Sequence, residues 1–279
     1  MHTVNSISGG QTSAYISAKY PADFNVFALV RTDDPKCIYP DKRIRSLVED
    51  KTQKPFVGTL EDDVIIKTIL DLEQFIGKKI DWVTGVSFDE VVKSKGGWLP
   101  NKLHRYCTSH LKIEPLFNYW RANFIKPVEM RIGYRANEMS RAKKMNSKLT
   151  SNGFLEYKTI IGKRKSQNKW GYIEWQKPVF PLIKDSVFKD DIVSYWRKKP
   201  VLFAELNNCV GCFHRNPMLL RKQFEYHPTK MEWFAKQERN KKKGNWRSDL
   251  SYDKISKHKI QNELDFSDFS ICDTGFCGI

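Results

Sequence analysis

The spacing of apolar and polar positions changes several times along roughly residues 1–200. Val4-Asn5-Ser6-Ile7 reads as a very short first strand, with Gly9 and Gly10 after it and a helical stretch from about Gln11 to Lys19. Phe24 to Val30 (FNVFALV) is a continuous apolar run, the pattern of a buried parallel strand. Thr59 to Asp62 makes a capping-box-like helix start. Behind it Ile65, Ile66, Ile69, Leu70 and Leu72 keep helical spacing, and Gly77 is the expected stop. Ile80 to Val83 (IDWV) and Val128 to Ile132 (VEMRI) read as further strands. Alternating strand and helix predicts an α/β layered domain over residues 1–200, with a parallel twisted Rossmann-like sheet and flanking helices.

The last third reads differently. Val187 to Arg197 and Asn216 to Tyr226 look helical, with Cys209-Val210-Gly211-Cys212 between them. Lys236 to Arg247 carries six basic residues and one acidic one, whereas Leu264 to Ile279 has three aspartates and no base. Residues 201–279 are expected to form a helical, cysteine-containing appendage ending in a mobile tail.

Composition narrows the class. Of 279 residues, 40% are apolar and 13% aromatic, enough for a real core. No apolar run approaches the ~20 residues that span a bilayer. The start, Met1-His2-Thr3-Val4-Asn5, lacks the basic, then apolar, build of a signal peptide. A soluble cytoplasmic protein without a membrane partner is expected, and six cysteines then do not imply a disulfide framework. The net charge of +16, from 48 Lys plus Arg against 32 Asp plus Glu, favours an acidic partner.

Ser8-Gly9-Gly10-Gln11-Thr12-Ser13 is the most specific local signal. It joins a short strand to a helix, where ligands of open α/β sheets bind. Glycines admit close backbone approach to a phosphate, and hydroxyls and N–H groups at the helix start bind the anion. No Gly-Lys-Ser/Thr follows, so the Walker pattern does not apply. Arg135 follows a strand that ends near Gly133 and is expected at the same sheet edge. Arginine binds phosphate or sulfate bidentately, and Glu138 and Arg141 are spaced to pair on one helix face. Asp33 and Asp34 follow the second strand, placed either for adenosine or Mg²⁺ contacts or for a simple turn.

The loop resembles the SGGxxS pyrophosphate loop of the N-type ATP pyrophosphatase (PP-loop) superfamily, in its branch of phosphoadenosine phosphosulfate (PAPS) reductases. Thr12 stands where the ATP-hydrolysing members usually carry Asp, which leans towards the reductase-like branch. Three further segments are similar and in order. They are Arg105 to Pro115, like the family's Cys-x-x-x-(Arg/Leu)-Lys-x-x-Pro; Gly133 to Arg141, like its GIRxxExxR; and Val179 to Ile183, like its "PL" stretch. The resemblance covers about residues 4–215. It implies an adenine nucleotide alpha hydrolase-like fold and ATP or a related adenine nucleotide on Ser8, Gly9, Gly10, Gln11, Thr12, Ser13 and Asp33. It also implies that Arg135, Arg141 and Lys112 stabilise charge on phosphate or sulfate.

Cys209 and Cys212 have metal-ligand spacing, and Gly211 eases the turn. In iron–sulfur members of the branch, cysteines of the Cys-x-x-x-Lys segment join a distant CxxC to hold a [4Fe–4S] cluster. The resemblance therefore adds Cys107 to Cys209 and Cys212. The fourth position is left open or filled by Cys272, Cys277, Cys37 or His214, and zinc is the alternative metal. Phe276-Cys277-Gly278-Ile279 faintly resembles the tail whose thiolate attacks sulfur in sulfonucleotide reductases, which makes Cys277 a candidate nucleophile.

Two basic segments carry tryptophans. Arg141 to Trp170 holds nine Lys or Arg and one Glu; the other includes Lys241-Lys242-Lys243 and Trp246-Arg247. Cations for a phosphate backbone and rings for stacking fit a nucleic-acid surface. The leading expectation is an enzyme that adenylates tRNA or DNA and transfers sulfur to it, drawing on a separate sulfur donor. The rivals are a sulfonucleotide reductase served by a thioredoxin-like reductant, and a binding protein that has lost catalysis.

Overall fold

The computed structural model describes residues 1–206, 209–239 and 244–258. The strands are β1 (Thr3–Ile7), β2 (Phe24–Ala28), β3 (Ile80–Val83), β4 (Val128–Arg131), β5 (Leu155–Arg164) and β6 (Gln167–Val179). They form one sheet in the order β3-β2-β1-β4-β6-β5. β1 pairs parallel with both β2 and β4, and β4 pairs parallel with β6, while β5 runs antiparallel to β6. The molecule is thus an α/β protein with a mostly parallel sheet and flanking helices.

The helices are α1 (Gln11–Lys19), α2 (Lys42–Thr52), α3 (Val64–Ile76), α4 (Phe88–Ser94), α5 (Tyr106–Thr108), α6 (Glu114–Asn123), α7 (Met139–Asn146), α8 (Pro181–Lys184), α9 (Lys189–Trp196), α10 (Pro217–Tyr226), α11 (Pro228–Arg239) and α12 (Tyr252–Lys257). The apolar spacing read in α3 is its buried stripe, since Ile65, Ile66, Ile69 and Leu72 are almost fully enclosed. Each such side chain contributes roughly 1.5–3 kcal/mol relative to exposure. The helix starts later than the capping-box reading, because Asp62 rather than Thr59 accepts from the Val64 N–H, at 2.9 Å. Thr59 instead caps the turn at Glu61. Gly77 ends α3 with φ +60°. Among the described residues no helix is long and apolar enough to cross a membrane.

The chain divides into two compact units, each discontinuous in sequence. The first holds Met1–Phe27, Leu72–Asp81 and Leu116–Val201; the second holds Ala28–Asp71, Trp82–Pro115 and the described residues from Leu202 onward. The sequence reading puts a boundary near residue 200 and an appendage beyond it. In the structure the C-terminal helices share a core with earlier segments. Val210, Phe213, Met231, Phe234, Trp246 and Tyr252 pack in one cluster with Val30, Leu60, Phe88 and Val92. That pairing is long-range in sequence, so local periodicity does not reveal it.

Within the first unit, β1 sits between β2 and β4. Its helical crossover leads to β2 on one side, and β4 lies on the other. The carboxyl ends of β1 and β4 therefore form a topological switch point, where open α/β sheets open a crevice for ligands.

The antiparallel hairpin β5–β6 corrects the sequence reading, which took this stretch only as part of a basic segment. It turns through Lys165-Ser166, with Lys165 at φ +55°. Its base is buried through Trp175 and Gln176, and Tyr157 stacks on Phe117 with ring centroids 4.4 Å apart.

Candidate functional site

Two groups of candidate residues emerge, one in each unit. In the first, Ser8 to Gly10 leave β1 and α1 begins at Gln11. Gly9 takes φ +77°, a left-handed value that lets the chain turn sharply into the helix. Ser13 ties the turn together. Its Oγ accepts from the Ser8 N–H at 3.1 Å and donates to the Gly10 carbonyl at 3.0 Å. Gly10 at the N-cap provides no side-chain cap, and no acidic residue lies in the first turn. The helix therefore presents N–H groups and its positive dipole end with no built-in anion to satisfy them.

The β4 side closes on the same loop. A Cβ placed on Gly133 would lie 3.3 Å from Thr12 Cγ2 and 3.7 Å from the Ser13 nitrogen. Two residues on, Arg135 is nearly buried. Its backbone N–H and its Nε donate to Glu138 Oε2, at 2.9 and 3.0 Å. Arg141 Nη1 donates to the other carboxylate oxygen at 2.5 Å, so one Glu138 holds both guanidinium groups. Arg141 also lies over the Tyr134 ring at 4.1 Å, and that ring stacks on Phe180. Burial pushes the Glu138 carboxyl up, but hydrogen bonds from Arg135 and the charges of both arginines outweigh it. The group ends below its ordinary value and is held as the carboxylate. The spacing signal in Gly133 to Arg141 thus corresponds to a fixed Arg–Glu–Arg group that begins two residues after Gly133.

The second group is the cysteine set. Cys107 lies on α5, and Cys209 and Cys212 lie in the turn before α10. With His214 they line one cavity, partly open to solvent, whose walls include Val30, Phe88, Leu111 and Phe213. The turn is anchored at Cys209, bridged antiparallel to Glu61, and at the Val210 N–H, which donates to the Leu60 carbonyl at 2.9 Å. Gly211 is required by close approach, since a Cβ there would meet the Phe234 ring at 2.4 Å. Burial pushes the Cys107 thiol up to about 11 and the Cys209 thiol well above its usual range. Burial, aided by the charges of Arg105, Lys102 and Arg247, holds His214 down to about 4, hence neutral near pH 7. Among the described residues no three His, Cys, Asp or Glu side chains are set to hold a single metal ion as they stand.

The remaining candidates belong to the second unit or lie outside the described residues. Lys112 belongs to the second unit and lines the cysteine cavity. Its Nζ donates to Glu61 Oε1 at 2.9 Å, and Glu61 is almost fully buried. Glu61 carried no signal in the sequence beyond its place near a helix start. Asp33, also in the second unit, accepts from the Ser87 hydroxyl, and its backbone N–H donates to Asp89 at 2.8 Å. Cys37 is buried in the shared core, does not line the cavity, and has its thiol pushed up to about 12 by burial. Cys272, Cys277 and Lys241-Lys242-Lys243 lie outside the described residues. Trp246 and Arg247 are buried rather than exposed for a polyanion. Trp246 Nε1 donates to the Phe234 carbonyl, and Arg247 donates to the carbonyls of Phe213 and Arg215. Burial of the ring and stem outweighs exposure of the charge, so this part of the second basic segment is core.

Comparison of the chain with protein-family models and with curated proteins returns no match.

Proposed function

We propose that the chain is an adenine-nucleotide-dependent enzyme resembling the PAPS reductase-like PP-loop proteins, and that it adenylates a nucleic acid for sulfur transfer. The observation that carries this reading is the uncapped start of α1 at the β1/β4 switch point, with the Arg135–Glu138–Arg141 group following Gly133. On this reading the sheet is an adenine nucleotide alpha hydrolase-like variant of the Rossmann-like fold. Ser8, Gly9, Gly10, Gln11, Thr12 and Ser13 hold the nucleotide's phosphates through backbone N–H and hydroxyl groups. Pyrophosphate leaves as the adenylyl group passes to an acceptor oxygen. Arg135 and Arg141 then stabilise the negative charge that gathers on the phosphate oxygens, and Glu138 keeps the guanidiniums in place.

The donor chemistry of the second group fits an iron–sulfur cluster, since three thiols and a neutral imidazole share one largely apolar cavity. Cys107, Cys209 and Cys212 would hold a [4Fe–4S] cluster, with His214 in the same cavity. When bound, such a cluster supplies soft iron for handling sulfur. Lys112, paired with Glu61, sets the charge beside Cys209.

The net charge of +16 supports a nucleic-acid acceptor. The test is release of pyrophosphate and AMP from ATP by anaerobically purified protein, with tRNA or DNA as acceptor and iron and sulfide assayed alongside. Nucleic-acid-dependent release and stoichiometric iron are expected. A colourless protein that leaves ATP intact would overturn the reading.

A second reading, sulfonucleotide reduction, is favoured by Thr12, where the ATP-hydrolysing relatives usually carry Asp. Sulfite formed from PAPS or its non-phosphorylated analogue, and abolished by Cys277→Ser, would replace the first reading with it.

A further inference from the structure

The β5–β6 hairpin is anchored at its base and bare at its outer half. Trp170 is 57% exposed and Tyr172 is 63% exposed, with Ile160 and Ile161 also in solvent. Two large aromatic rings left in water two residues apart gain nothing for folding, and such patches mark contact surfaces.

The register decides which side chains share a face. Lys158 lies opposite Tyr172, Ile160 opposite Trp170, and Lys163 opposite Asn168. Directly paired residues of an antiparallel ladder point to the same side, as do residues i and i+2 of one strand. Lys158, Ile160, Lys163, Trp170 and Tyr172 therefore occupy one face. The irregularity between Ile160 and Gly162 makes this possible, because it takes Ile161 out of the alternation. Ile161 leans over Gly171 on the opposite face, where a Cβ would meet its Cδ1 at 2.5 Å. One face thus carries two exposed rings about 6.8 Å apart along the strand, flanked by lysines.

The outer part of this face is cationic, and the paired Glu156 and Glu174 mark its inner end. Between Tyr157 and Ile173 the hairpin has Lys158, Lys163, Arg164, Lys165 and Lys169 and no acidic residue. Cations of this kind attract a phosphate backbone, and exposed rings accept bases whose faces are open. Paired bases keep their faces inside the duplex, so only an unpaired segment can use both features.

We infer that this face of the β5–β6 hairpin docks a single-stranded segment of nucleic acid, with bases stacked on Trp170 and Tyr172 and phosphates on Lys158 and Lys163. The inference rests on the nucleic-acid acceptor of the proposed function and locates it. It identifies the hairpin as the arm that presents an unpaired stretch, such as a loop or a single-stranded end, to the enzyme.

The experiment uses the full chain and short fluorescent single-stranded oligonucleotides, with anisotropy read across a salt series. Trp170 and Tyr172 are exposed, so W170A and Y172A leave the fold intact, which near-ultraviolet circular dichroism checks. ATP binding is measured on the same preparations. The expected result is salt-dependent binding of single strands, weakened at least about tenfold in the double variant, with ATP binding unchanged. K158A with K163A should flatten the salt dependence by about 0.7 in slope for each phosphate that no longer has a lysine beside it. Single-strand binding that survives the aromatic substitutions overturns the hairpin dock and leaves the acceptor reading standing. Preference for duplex over single strands also overturns the dock. Absence of nucleic-acid binding at low salt overturns both the dock and the acceptor reading, whether or not ATP binds. Binding instead to anionic phospholipid vesicles, abolished in the same variants, assigns the face to a membrane and overturns the inference.

Discussion

At Gly211 a single methyl group is more than the packing allows. The Phe234 ring lies where that methyl would go, and the Tyr252 hydroxyl donates to the Gly211 carbonyl at 2.7 Å, so neither side of the turn can yield easily. Gly211→Ala is expected to destabilise the second unit by about 1–3 kcal/mol, read as a lower urea midpoint, and to reduce bound iron in parallel. Glu138 sets the other residue-scale expectation. A carboxyl with a folded pKa below its unfolded one contributes stability above the unfolded value and loses it as pH falls through the folded one. For Glu138 that window lies below its ordinary 4.5. Glu138→Gln should remove part of the acid-dependence of stability, seen as a shallower fall in melting temperature below about pH 4.5. It should also weaken nucleotide binding at neutral pH by loosening Arg135 and Arg141. Some of this was legible from residue spacing, as with Cys209 to Cys212 and the Glu138–Arg141 pair. The Lys112–Glu61 pair was not, because its partners are 51 residues apart and joined only by the fold.

At the scale of elements, the α1 junction is where local sequence and local structure agree best. The helix occupies Gln11–Lys19, where the pattern put it, because glycines before it and apolar spacing within it act over a few residues. Gly9 carries the turn at φ +77°, so Gly9→Ala is expected to strain the loop by about 1–3 kcal/mol and to lower ATP affinity without unfolding the sheet. Thermal melts and nucleotide titrations on one preparation separate the two effects. The hairpin β5–β6 was hidden for the opposite reason. Its outer half is exposed on both faces, so it has no buried side to impose a period-two pattern, and its lysines read only as charge.

At the scale of the molecule, the charge and the cysteines divide between structural and surface roles. Trp246 and Arg247, which the sequence offered to a polyanion, close the aromatic core around Phe88, Trp233 and Phe234. The exposed cations of the hairpin stay available to a partner. The cysteine cavity depends on segments around residues 30, 60, 88, 107 and 210 meeting in one core, which no linear motif contains.

Binding of ATP to the Ser8–Ser13 loop is the most direct test of the central claim. Calorimetric titration of the folded wild-type protein is compared with Gly9→Ala and Arg135→Ala, using Cys107→Ser as a control in the other unit. The expected result is saturable binding by the wild type and the control, weakened at least about tenfold in each loop-site variant, as removal of a charge-assisted hydrogen bond or of the loop geometry implies. A folded wild type that binds no adenine nucleotide, or variants that bind as tightly as it does, would contradict the claim.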